Sequence, residues 1–131
     1  MRQIKFRGKS EQLGWCFGDL FQYPENPKNE SKVISMIGGG SSFVIPETVG
    51  QFTGLRDKNG TEIYEGDIIE GDHDIRHEIY YDDNEAQFMA ACDGDRRYLS
   101  GGVNQGWINE FGKVVVGNIH DNPELIEAYR K

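Results

Sequence analysis

At 131 residues, with 37% hydrophobic and 27% charged residues, the chain has the length and composition of one soluble domain that buries its core without metal or disulfide staples. Its formal net charge of −8 argues against a protein that grips a phosphate backbone, because such a protein needs a basic face to release counterions. No apolar run approaches the roughly 20 residues needed to cross a bilayer, and the start, MRQIKFRGK, lacks the apolar centre of a secretory leader. The expected location is therefore the cytoplasm. Seventeen glycines against four prolines indicate many tight turns and favour a β-rich chain.

Residues 3–9, QIKFRGK, alternate strictly, so a half-buried strand is expected with Ile4 and Phe6 inward and Gln3, Lys5, Arg7 and Lys9 outward. Residues 14–22, GWCFGDLFQ, alternate again and set Trp15, Phe17 and Phe21 on one face. Ser10–Leu13 would connect the two, giving a hairpin over 3–22. YPENPKNES at 23–31 reads as a loop, KVISMI at 32–37 as a short strand, and GGGSS at 38–42 as a connector. The connector is not a phosphate-binding loop, because no Gly-Lys-Ser/Thr follows it.

FVIPETVGQFTG at 43–54 reads as extended chain interrupted by Pro46. RDKNG at 56–60 is a turn opened by Asp57 and closed by Gly60. In the following TEIYEGDIIEG, Ile63 and Tyr64 are expected to anchor the chain, Gly66 to bend it, and Ile68 and Ile69 to begin a strand. HEIYYDD (77–83) and EAQFMAAC (85–92) read as two strands about an Asp82-Asp83-Asn84 turn. Residues 98–112 fit a helical turn or a strand edge equally. KVVVGNI (113–119) reads as a strand buried on both faces. A short C-terminal helix follows, with Asn122 as N-cap and Pro123 at its first position. Two helical turns are not stable alone in water, so Leu125, Ile126 and Tyr129 would dock on the same molecule or on a partner subunit.

Three segments in this order resemble the YopX family of phage and prophage proteins: IKFRGK followed by GWCFGDLF, then VGQFTGLRDKNGTEIYEGDII, then VVVGNIHDNPELI. The resemblance spans the chain and is carried by Gly54, Leu55, Asp57, Gly60, Tyr64, Glu65, Gly66, Asp67, Gly117, Asn118, Asn122 and Pro123. It implies a small, mostly β protein without an established activity, and so it supplies no catalytic residues. The expected fold is mostly β, within a single YopX-like domain. An N-terminal β-hairpin portion occupies residues 1–60. A portion at 61–131 is similar in order to small Src-homology-like β-barrel modules and ends in the short helix. That likeness is one of architecture and does not carry function.

Candidate chemistry is sparse. Asp72, His73, Asp74 and His77 are the one cluster of metal-ligand atoms, and they read as a polar loop entering a strand, so no metal is expected. Asp93-Gly94-Asp95 lacks the closing Glu of a calcium loop. Glu65 and Asp67 flank a glycine, where a carboxylate that accepts backbone N–H bonds fixes a bend. His120 reads as a loop residue, and Cys16 and Cys92 as buried small hydrophobes. No nucleophile motif and no cofactor site are present in the sequence, so the expectation is a non-enzymatic protein that binds another protein and is able to self-associate. Residues 62–95 carry twelve acids, with Arg76 as the one Lys or Arg among them. They raise the alternative of a nucleic-acid mimic that blocks a host DNA-binding protein. A nucleic-acid-binding barrel has only Arg2, Lys5, Arg7 and Lys9 beside Phe6 behind it.

Overall fold

A two-residue side-chain period needs a sheet to face, and the described residues supply two antiparallel ones. The computed structural model describes residues 2–22, 32–71, 75–92 and 101–127. It divides into two units, Met1–Phe52 and Thr53–Lys131. The 23–31 loop, Asp72, His73, Asp74, the Asp93-Gly94-Asp95 turn, Tyr129 and the two terminal basic residues lie outside the described residues.

In the first unit β1 (Phe6–Ser10) and β2 (Gly14–Gln22) form the expected hairpin, with Phe6 opposite Gly18 and Ser10 opposite Gly14. β3 (Lys32–Met36) pairs with β2, and β4 (Ser41–Phe43) with β3. Pro46 starts a 3-10 turn, Pro46–Thr48, after which β5 (Gly50–Arg56) pairs with β1. The strand order is β4-β3-β2-β1-β5. The far end of this sheet curls back onto β1. Ser42 Oγ lies 3.0 Å from Ser10 Oγ, and the Ile45 N–H donates to the Lys9 carbonyl at 2.8 Å. The Lys9 N–H in turn donates to Thr48 Oγ1 at 2.8 Å. Inside the curl lie Cys16, Ile34 and Val44, with Phe6, Leu20, Met36 and Val49 against them.

One expectation for this hairpin is reversed and one is modified. Ile4 precedes the ladder and is 56% exposed, whereas Arg7 keeps the expected outer side but is 7% exposed. The Arg7 guanidinium lies 4.8 Å from the Trp15 ring centroid, and a planar, weakly hydrated cation stacks on an indole at little desolvation cost. On β2 the buried positions are Cys16 and Gly18, so Trp15, Phe17 and Phe21 occupy the outer face.

In the second unit β5 continues beside β6 (Glu62–Tyr64). β7 (Asp67–Glu70), β8 (Arg76–Asp82), β9 (Gln87–Cys92), β10 (Gly101–Gly102) and β11 (Val114–Asn118) form a sheet in the order β10-β9-β8-β7-β11. One face buries Ile69, Ile79 and Ala90 under Ile63 and Ile108, with Leu55, Val103, Trp107 and Val115 at the margin. Each isoleucine contributes about 1.5–3 kcal/mol when fully buried. The ambiguous 98–112 stretch contains α1 (Gln105–Glu110), started by Asn104, whose side chain accepts from the Trp107 N–H at 2.9 Å. The opposite face carries Tyr80, Met89 and Ala91. Beside β8 lies α2 (Glu124–Glu127), where Arg76 Nη1 donates to the Leu125 carbonyl at 2.9 Å.

The valine run at 114–116 is not buried on both faces. Among the described residues β11 is an edge strand that pairs with β7 alone, and Val116 is 37% exposed. An apolar run is ambiguous by period, and only its place in the sheet decides its burial.

Close packing around Gly8 is testable. A Cβ there would stand 2.7 Å from Val44 Cγ2. Gly8→Ala is expected to destabilise the protein by about 1–3 kcal/mol in urea unfolding. The Gly8→Ala/Val44→Ala double variant should lose less than the two single losses added together; strict additivity would contradict the contact.

Candidate binding face

Asp57, Gly60, Gly66, Asp67, Asn118 and Asn122, among the residues that carry the family resemblance, do structural work. The Asp57 carboxylate, 6% exposed, accepts three backbone N–H groups. Oδ1 takes those of Asn59 and Thr61, each at 2.8 Å, and Oδ2 takes that of Val115 at 2.9 Å. The Lys58 N–H donates to the Lys113 carbonyl at 3.0 Å, so the 57–60 turn is stitched to the start of β11. Gly60 closes the turn at φ 85°, a left-handed value that L side chains resist. Asp67, 1% exposed, accepts from the Tyr64 N–H through Oδ2 at 2.7 Å and fixes the bend at Glu65-Gly66. The Gly66 N–H donates to Ile79, and its carbonyl accepts from Ile119.

At the end of β11 the Asn118 Oδ1 accepts from the His120 and Asp121 N–H groups at 3.0 and 2.9 Å. The Asn122 side chain accepts from the Asn118 N–H at 3.2 Å. Its Oδ1 therefore turns back to the strand, while its carbonyl accepts from the Leu125 N–H. Ile126 is 1% exposed and belongs to the interior of its own unit. Leu125 is half-buried beside it.

His77 lies on β8 with its ring edge-on to Trp107, centroids 5.0 Å apart, and Lys113 Nζ stands 4.9 Å from the Trp107 centroid. His77, Ala90, Gly101, Gly102, Asn104 and Trp107 line a cavity of about 230 Å³. Among the described residues no group of three or more His, Cys, Asp or Glu is placed to hold a metal ion. Cys16 is buried and Cys92 half-buried, both as thiols.

Exposed rings and cations collect on the outer face of the first unit's sheet. Cross-strand pairing puts Arg7 beside Phe17 and Lys9 beside Trp15. Lys9 Nζ lies 6.0 Å from the Trp15 centroid, and Lys5 Nζ 5.0 Å from that of Phe52. Phe17 is 40% exposed, Phe21 50%, Phe43 54% and Ile37 71%. Phe17 and Phe21 share their side of β2 with Asp19, which is exposed. The alternation of 14–22 announces such a face, but not that it is the outer one.

The same division separates charge. Residues 1–52 hold six Lys and Arg and five Asp and Glu, a net of +1; residues 53–131 hold eight and seventeen, a net of −9. Among the described residues, several acids of 62–95 are committed within the fold. Asp67 and Glu78 are buried, and Glu70 and Glu62 pair with Arg76 and Arg56 at 3.0 and 3.3 Å. Asp83 and Glu85 are exposed at the β8–β9 hairpin.

The model of the family described as YopX protein matches residues 5–127. The chain belongs to the YopX family. Its fold is also similar to the crystal structure of protein EF1440 from Enterococcus faecalis, with a TM-score of 0.63 and 25% identity, covering 96% of this chain and 99% of that one. No curated protein matches. Among the described residues no helix is long and apolar enough to cross a membrane.

Replacing Asp57 with Ala in this YopX protein leaves three backbone donors without their acceptor. The expected loss is about 2–4 kcal/mol of unfolding free energy, since bonds to a charged acceptor are worth more than neutral ones. A chemical denaturation midpoint unchanged from the parent would show that the carboxylate does not hold the turn to β11.

Proposed function

We propose that this YopX family member is a non-enzymatic phage accessory protein of the host cytoplasm that acts by binding another protein. The observation that carries the reading is the outer face of the first unit, where Phe17, Phe21, Phe43 and Ile37 stand 40–71% exposed beside Trp15 and its cations. Aromatic and arginine-rich patches are the usual cores of protein interfaces. The chain's net charge of −8 favours a protein over a phosphate backbone as the partner. The structural use of Glu62, Asp67, Glu70 and Glu78 weakens the case for a nucleic-acid mimic, which would need those charges in solvent.

The two units are read as one YopX-like domain, because the family match runs through both. The antiparallel succession β7-β8-β9 after the Gly66 bend supports the likeness of residues 61–131 to small-barrel modules.

Affinity capture from phage-carrying cells tests the binding role. The tagged parent is expected to retain a specific protein, and the Phe17→Ser/Phe21→Ser/Phe43→Ser variant to lose it while keeping its far-UV circular dichroism. Equal capture by both proteins would remove this face from the function.

A further inference from the structure

The second unit carries a patch whose charge and chemistry complement the first unit's face. Tyr81 and Phe88 are cross-strand partners on β8 and β9, with ring centroids 5.3 Å apart. They share a sheet face with Ile79 and Ala90 but lie further toward the hairpin, where Tyr81 is 38% exposed. The hairpin beside them carries Asp82, Asp83 and Glu85. Asp82 is occupied in the turn, its Oδ1 accepting from the Asn84 and Glu85 N–H groups at 2.8 and 3.1 Å. Asp83 and Glu85 keep their charges in solvent. Aromatic rings beside two acids thus stand on a unit of net −9, and aromatic rings beside Lys5, Arg7 and Lys9 on a unit of net +1.

We propose that the partner of the first unit's outer face is a second copy of this chain, docked through the Tyr81–Phe88 pair with Asp83 and Glu85. This rests on the protein-binding reading above and names its partner. Apolar rings on both sides supply buried area. Lys5, Arg7 and Lys9 outnumber Asp19 on the first face, so it is opposite in sign to Asp83 and Glu85, which steers and orients the encounter. A contact between unlike patches either closes as a ring or runs on as a chain. Both outcomes raise the mass above that of the monomer.

Light scattering on a sizing column, across a concentration series, reads the association directly. The parent is expected to exceed the monomer mass as concentration rises. Lys9→Glu and Asp83→Lys/Glu85→Lys are each expected to weaken association roughly tenfold, and Lys9→Glu/Asp83→Lys/Glu85→Lys to restore it to within a few-fold of the parent. These positions are on the surface or half-buried, and Asp82 is left to hold its turn. Phe21→Ser should abolish association with an unchanged circular dichroism spectrum.

A monomer at every concentration up to the solubility limit would overturn the proposal. So would association that ignores the charge reversals, or a single-stranded oligonucleotide whose anisotropy shows binding that Phe21→Ser removes. If the protein is monomeric and a captured host protein depends on Phe17, Phe21 and Phe43, self-pairing falls and the protein-binding role stands. If neither association nor face-dependent capture occurs, both fall.

Discussion

The Asp57 carboxylate is the point on which the second unit's connectivity turns. A single buried acid accepts backbone N–H groups from Asn59 and Thr61 in its own turn and from Val115, which is 58 residues further along the chain. Sheet ladders satisfy backbone groups by pairing strands, but a turn that meets an edge strand end-on has no ladder to join. A charged acceptor solves this by offering two oxygens to donors from different directions. With β11 held there, Val115 reaches the margin of the core under Ile108, and the strand ends where Asn118 and Asn122 exchange bonds.

This accounts for the character of the family's signature residues. Asp57, Gly60, Gly66, Asp67, Asn118 and Asn122 serve backbone geometry at three bends. Exposed aromatic rings and cations collect instead on a sheet face whose residues lie outside those bends. That separation is physically reasonable: carboxylates and amides committed to backbone donors at 2.7–3.2 Å are not available to a ligand.

Several elements are readable from local pattern. The hairpin at 6–22 follows from alternation, the 56–60 turn from Asp-Lys-Asn-Gly, and the β8–β9 hairpin from two β-rich runs about Asp-Asp-Asn. The candidate face is half-readable. Alternation at 14–22 groups Trp15, Phe17 and Phe21, but a period of two is silent on which side is inside. The curl of the sheet settles it by filling the interior with Cys16, Ile34 and Val44, which leaves the rings outside. Arg7 shows the converse, because its charge reads as solvent-facing until the Trp15 ring is placed beneath it.

By itself the sequence determines the β-rich class, the turns and the family, because these depend on residue chemistry within a few positions. Tertiary structure decides the quantities that depend on distant neighbours. It makes β11 an edge strand despite its valines, turns the Asn122 side chain back to β11, and places Ile126 inside its unit. It also divides a chain of net −8 into one unit near neutrality and one strongly acidic. Burial, strand order and the grouping of charge arise from contacts between residues far apart in sequence, and no local period encodes them.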